Sequence, residues 1–354
     1  MTEDLLKLTA YFGERQRHGD RFLSDELLGL YAESEVATSV VLRGIAGFGP
    51  RHELRSDQSL SMSEDLPVAI AAVDAAEKIA GLAERAVELT TRGLITLERA
   101  SLIGRSASSM PETAKLTVYV GRQERVSGHQ AYRAVCELLH RHEFASTAVF
   151  LGVDGTAHGQ RHRAHFFGRN ADVPVMIIAV GAGARVAEVL PQLEGMLHRP
   201  LLTVERAQLC KRDGELLTRP LSVPASDRDG RALWQKLMVY TSEATLHDGE
   251  PIHRAIVRKL QGIPDSRGAT VLRGVWGFHG DHPPHGDRLV QLGRQVPVTT
   301  IVVDNPDRIA ASFDVIDELT GRHGVVTSEL VPALISIDGS ERRGGTALGR
   351  FDQA

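Results

Sequence analysis

Three segments of the chain open on nearly the same five residues: K-L-T-A-Y from Lys7, K-L-T-V-Y from Lys115 and K-L-M-V-Y from Lys236. Further landmarks follow each opening in one order. A strand-like run ends in glycines, as V-V-L-R-G-I-A-G-F-G from Val40, A-V-F-L-G-V-D-G from Ala148 and T-V-L-R-G-V-W-G-F from Thr270. Next come D-L-P-V from Asp65, D-V-P-V from Asp172 and Q-V-P-V from Gln295, then L-E-R-A from Leu97, V-E-R-A from Val204 and S-E-L-V from Ser328. The intervals between Gly44, Gly152 and Gly274 match those between Pro67, Pro174 and Pro297 to within a residue. Self-similarity of this kind defines a repeat architecture. It divides the chain into repeats at residues 1–103, 114–212 and 231–338. Residues 104–113 and 213–230, rich in turn formers, read as linkers, and 339–354 as a flexible tail.

Within a repeat the hydrophobic period alternates between that of a strand and that of a helix. Leu6, Leu8 and Ala10 alternate with polar neighbours, as do Val118 and Val120. Leu27, Leu28, Leu30 and Tyr31 recur at helical spacing, as do Val135, Leu138 and Leu139 or Ile252, Ile256 and Leu260. After two more strands a second helix places Val186, Val189, Leu190, Leu193 and Leu197, or Ile309, Phe313, Ile316 and Leu319, on one stripe. The order strand, helix, strand, strand, helix, strand predicts an α+β fold, the ferredoxin-like split arrangement with two helices on one face of an antiparallel sheet.

Composition narrows the function classes. A net charge of -4 gives no basic field for nucleic acid. No apolar run is long enough to span a bilayer and the start lacks a signal-peptide pattern, so the expectation is a cytoplasmic protein without membrane insertion. Two cysteines, Cys136 and Cys210, do not make a disulfide framework.

The glycine runs from Leu42 and Leu272, with S-E-D-L-P-V from Ser63, resemble the PII-like bacterial family known as domain of unknown function 190, once per repeat and across the chain outside the linkers. The resemblance implies units related to the nitrogen-regulatory PII signalling proteins, which form trimers with small-molecule sites in the clefts between subunits. Three tethered copies then predict an intramolecular pseudo-trimer, because linking makes association intramolecular. The resemblance implies no known reaction. It also implies a membrane transporter or channel as partner, since genes of the family are often found beside a fluoride-export channel family.

In PII-like proteins the glycine-rich strand end, the loop after it and the loop before the last strand approach the ligand. Carried over, the candidates are Arg43, Gly44, Gly47, Phe48 and Gly49 in repeat 1, Gly152 and Gly155 in repeat 2, and Arg273, Gly274, Gly277 and Phe278 in repeat 3. Arg92, Arg199 and Arg322 join them from the loops before the final strands. Chemically, glycine lets backbone amides approach an anion, arginine offers a planar charge to phosphate or carboxylate, and Phe48, Phe278 or Trp276 could stack on a base. The same residues also fit a structural reading: glycines at a bulge, solvated arginines, aromatics packed between units, and cations near a helix C-terminus. Repeat 2 departs from the pattern, with Leu151 in place of the arginine and Thr156 in place of the phenylalanine.

Two loops are rich in histidine: His158, His162 and His165 in repeat 2, and His279, His282 and His285 in repeat 3. Imidazole ligates transition metals, yet no cysteine or clear carboxylate completes either set, and a polar loop is the simpler reading. No G-x-S-x-G, Walker, H-E-x-x-H or C-x-x-C motif appears. His18 and His247 occupy matching places before a helix, where repeat 2 has Val126, and no catalytic residue or cofactor is assigned. The sequence therefore points to a non-enzymatic sensor of a small anionic metabolite, such as a nucleotide, bound between repeats. A metal sensor using the histidine loops and a ligand-free interaction scaffold are the alternatives.

Overall fold

The computed structural model describes residues 4–57, 65–102, 110–164, 172–280, 282–286 and 295–351. Ser63 and His165 lie outside the described residues. Two-residue bridges aside, repeat 1 comprises β1 (Asp4–Gly13), α1 (Leu23–Glu33), β2 (Thr38–Phe48), β3 (Pro67–Ala75), α2 (Ala76–Leu89) and β4 (Arg92–Leu102). Repeat 2 comprises β5 (Thr113–Gly121), α3 (Ala131–Arg141), β6 (Ser146–Leu151), β7 (Asp154–Ala157), β8 (Pro174–Ala182), α4 (Gly183–Met196), β9 (Leu201–Arg206) and β10 (Gln208–Arg212). Repeat 3 comprises β11 (Trp234–Ser242), α5 (Ile252–Gln261), β12 (Ala269–Arg273), β13 (Trp276–His279), β14 (Pro297–Asp304), α6 (Pro306–Leu319), β15 (Val325–Val331), β16 (Ala333–Asp338) and β17 (Glu341–Gly345).

Each repeat is an antiparallel four-stranded sheet with one register. In repeat 1, β1 lies between β3 and β4, and β2 flanks β3, so the strands run fourth, first, third, second. Repeats 2 and 3 follow the same order. The helices cover one face: Leu6, Leu8, Ala10 and Phe12 of β1 pack with Leu27, Tyr31, Ile79 and Ala83. Helix starts follow local chemistry where the sequence supplies it, as at α6, where the Asn305 side chain accepts from the Arg308 N–H at 2.9 Å and Pro306 opens the first turn.

The opposite sheet face is not solvated. Leu5, Val40 and Ala71 of repeat 1, Tyr119, Phe150 and Ile178 of repeat 2, and Met238, Tyr240 and Ile301 of repeat 3 form one buried cluster. Strand pairing also crosses between repeats. The end of β2 pairs with β12, β7 pairs with the start of β2, and β13 pairs with β6. These pairings join repeat 1 to 3, 2 to 1 and 3 to 2. The final strands are joined likewise, β10 to β15, β16 to β4, and β4 to β9.

The residues read as linkers and tail are partly structured. β10 turns back at Asp213–Gly214, and the Asp227 carboxylate accepts the backbone N–H groups of Asp229, Arg231 and Arg350, each at 2.9 Å. Of residues 339–354, expected to be a flexible tail, the described ones turn at Gly339 (φ 65°), and Glu341–Gly345 return as β17 along β16. Pairing against a preformed strand supplies the hydrogen bonds that a polar segment read alone does not reveal.

Candidate functional site

The glycine pairs lie at the crossings between repeats. A Cβ on Gly47 would sit 2.4 Å from the Ala269 carbonyl oxygen, one on Gly155 2.1 Å from that of Ser39, and one on Gly277 2.0 Å from that of Thr147. Each of these oxygens belongs to another repeat. Gly44, Gly152 and Gly274 are confined by Pro67, Pro174 and Pro297 together with Val271, Val40 and Val149 of the neighbouring repeat. The backbone approach that these glycines permit is therefore strand to strand. Phe48, 6% exposed, inserts among Leu237, Ile256 and Phe313 of repeat 3, and Phe278, 1% exposed, among Val135, Leu139 and Val149 of repeat 2. Full burial of such a ring stabilises its seam by about 1.5–3 kcal/mol.

The joints beside these seams differ in chemistry at equivalent positions. Asp57 of repeat 1 meets Arg273 at 3.0 Å and Arg254 of α5 at 3.8 Å. The polarity reverses where Arg161 and Arg163 of repeat 2 meet Asp25 of α1 at 2.8 and 3.4 Å. At the third joint Arg133 of α3 lies over the Trp276 ring at 4.3 Å.

The repeat-opening lysines and the glutamates of the closing motif converge. Within repeats, β1, β5 and β11 bring Lys7 opposite Glu98, Lys115 opposite Glu205 and Lys236 opposite Glu329. Between repeats, Lys7 Nζ lies 2.6 Å from Glu205, Lys115 bonds Glu329, and Lys236 bonds Glu98. Within-repeat distances of 3.0, 2.9 and 2.8 Å complete a ring of alternating charge. All six side chains are buried. Burial disfavours the charged form of Glu98, but Lys236, Lys7 and Lys115 outweigh it and hold the carboxyl well below its usual range. Burial also opposes charge on Lys115, and Glu205, Glu329 and Glu98 reverse that effect and raise it. Lys7 has fewer carboxylates within reach, and there burial prevails and lowers it. Among the described residues, Glu98, Glu205 and Glu329 are the one set of three metal-ligand types whose donor atoms all lie within 4.8 Å of one another. Three ammonium groups already neutralise them, so the arrangement is an ion-pair ring.

A cleft opens at the seam of repeats 1 and 3. Gly47, Phe48, Gly49 and Arg92 from the expected set line it, joined by Arg51, Arg55 and Arg267, with Asp338 and Glu53 as the acids. Arg55 pairs with Asp65 at 2.9 Å and Glu53 at 3.8 Å. Arg267 lies over the Trp234 ring at 4.7 Å and 3.4 Å from Asp304, and its burial lowers its pKa. Arg51 and Arg92 share Asp338.

The other expected residues lie elsewhere. Arg43 is exposed and pairs with Glu14 at 2.7 Å, because strand alternation turns it away from the seam. Arg273 is held by Glu243 at 2.6 Å and by Asp57. Arg199 and Arg322 are exposed and do not line this cleft. The described histidines do not gather as a three-ligand set. His158 is an exposed turn residue with φ 50°, His285 Nδ1 lies 2.9 Å from the Pro283 carbonyl oxygen, and His279 and His282 meet edge to face with ring centroids 5.4 Å apart. Burial, with His282, His285 and His323 nearby, lowers His279 to about 4. Sequence reasoning missed the ion ring and Arg51, Arg55, Arg267 and Asp338. A charged residue at the same strand position in all three repeats was the available signal for the ring.

Three homologous α+β units that exchange strand pairings define a fused-repeat protein. The chain belongs to the DUF190 family, described as an uncharacterized ACR, whose model matches residues 5–102, 113–209 and 234–333. A UPF0166 protein of Aquifex aeolicus (strain VF5) is 28% identical over 108 residues, 29% of this chain and 97% of that relative, which therefore has the length of one repeat. Among solved structures, an anthrone oxidase-like protein is 10% identical and covers 68% of this chain and 95% of its own, at a TM-score of 0.19. An unknown protein from Galdieria sulphuraria, also 10% identical, covers 62% and 97% at 0.16. Likenesses this weak carry no argument. Among the described residues no helix is long and apolar enough to cross a membrane.

Proposed function

We propose that the chain is a non-catalytic PII-like regulatory protein. Three ferredoxin-like units act as one intramolecular pseudo-trimer, and the cleft between repeats 1 and 3 binds a small anionic metabolite of the phosphate or carboxylate class. The strand order, the reciprocal seams and the shared ion ring support the pseudo-trimer. The single observation that carries the ligand reading is the gathering of Arg51, Arg55, Arg92 and Arg267 at one seam against two lining acids. Guanidinium groups present paired donors matched to carboxylate and phosphate oxygens. The equivalent seams lack this set: Gly159 stands where repeat 1 has Arg51, and Ala145 where repeat 3 has Arg267. Binding would change how the segment after Gly49 meets repeat 3 and so alter the surface offered to a partner such as a membrane transporter.

Thermal unfolding and calorimetric titration against nucleotides, inorganic phosphates and di- and tricarboxylates test this reading. A ligand at 100 times its Kd stabilises the fold by about 2.7 kcal/mol. Arg92→Gln is expected to weaken the responding ligand at least about tenfold, and Arg273→Gln to leave it unchanged. Absence of any response, or equal affinity in wild type and Arg92→Gln, would remove the cleft from consideration. Light scattering at rising concentration should return a single-chain mass throughout.

A further inference from the structure

We infer that the Asp338 carboxylate is a built-in occupant of the cleft, standing where the oxyanion of a compact dianionic ligand binds. The inference rests on the cleft being an anion site and names how that site is filled. Asp338 ends β16, opposite Arg92 in the register with β4. Its Oδ1 accepts from Arg92 Nε at 2.9 Å and Arg51 Nη2 at 3.2 Å, and its Oδ2 accepts from Arg51 Nε at 3.3 Å. One arginine is thus engaged side-on through two nitrogens and a second through one, the pattern in which guanidinium groups hold a carboxylate or phosphoryl group.

Three features make this contact displaceable rather than a fixed strut. The side chains of Arg51, Arg92 and Asp338 are 53%, 42% and 28% exposed, so solvent and solute reach them, unlike the buried ion ring. Asp338 directly precedes the Gly339 turn that joins β16 to β17, so its side chain can swing away while the β16 ladder is retained. Finally, two guanidinium charges share a single carboxylate, since Arg55 has its own partners in Asp65 and Glu53. A ligand carrying two negative charges neutralises Arg51 and Arg92 more completely than Asp338 does. Its entry would free the hairpin tip, which is otherwise tied to repeat 1 by the Gly339 N–H donating to the Thr91 carbonyl at 2.9 Å.

The test titrates full-length wild type, Asp338→Asn and Arg92→Gln with pyrophosphate and, separately, with succinate, by calorimetry. The two probes separate a phosphoryl from a dicarboxylate source. Asp338→Asn removes the competing charge while keeping the side chain's size. It is expected to tighten the responding probe about tenfold or more, while Arg92→Gln weakens it. In wild type the same probe should speed amide exchange at Gly339. If Asp338→Asn binds no tighter than wild type while Arg92→Gln still weakens binding, the cleft reading stands and the built-in occupant is refuted. If neither probe binds wild type or Asp338→Asn, both fail.

Discussion

Glu205→Gln gives the most direct measure of what joins the repeats. The substitution keeps the shape of the side chain but leaves three ammonium groups facing two carboxylates in a buried ring. Lys7 loses its partner at 2.6 Å and Lys115 its partner at 2.9 Å. Breaking a buried ion pair from one side costs about 3–5 kcal/mol, because the remaining charge stays desolvated without compensation. The unfolding entropy, about 2.1 cal/mol/K per residue, amounts to about 0.7 kcal/mol/K over 354 residues. The expected fall in Tm is thus about 4–7 °C. Removing a matched pair, as in Lys115→Met with Glu205→Leu, restores charge balance and should cost less than the sum of the two single changes, with a coupling of about 0.5–3 kcal/mol. Scanning calorimetry of wild type, Glu205→Gln and the three proteins of the Lys115→Met/Glu205→Leu cycle decides. A shift below about 1 °C for Glu205→Gln, or strict additivity in the double variant, would refute the claim that the ring acts as one electrostatic unit.

Two further outcomes follow from the same geometry. Gly155→Ala places a methyl 2.1 Å from the Ser39 carbonyl oxygen and should destabilise by about 1–3 kcal/mol in urea unfolding, whereas Gly195→Ala, on an open helix face, should not. His253 and His279 are lowered to about 4, in each case first by burial, from an ordinary value of 6.5. A depressed histidine is neutral in the fold while its unfolded form takes up a proton below 6.5, so stability falls with decreasing pH between 6.5 and 4. Each histidine should remove about 2 kcal/mol between pH 7 and 5. His253→Leu should flatten that slope in denaturant titrations, and an unchanged slope would count against the assignment.

The sequence by itself determined the repeat, the order of elements and the helix-facing core. Leu6, Leu8, Leu27, Tyr31, Val186 and Phe313 all lie where their periodicity places them. It also located the residues at the seams, because glycines followed by an aromatic at the end of a strand stand out in a single chain. Their role was not legible: a glycine that admits a ligand and one that admits a neighbouring strand are identical in sequence, and only the approach of Ala269, Ser39 and Thr147 decides between them. Arg43 and Arg92 were equally plausible as arginines, yet strand alternation turns one to Glu14 while the β16 extension brings Asp338 to the other. The same limit hid the ion ring. Alternation along β1 separates Leu6, Leu8 and Ala10 from Leu5, Lys7 and Thr9, but it does not say what covers the second face. A lysine there reads as solvated until two other repeats close over it. Burial of a charge is a property of what surrounds it, and here the surroundings come from residues about 100 and 200 positions away along the chain, brought together only by tertiary structure.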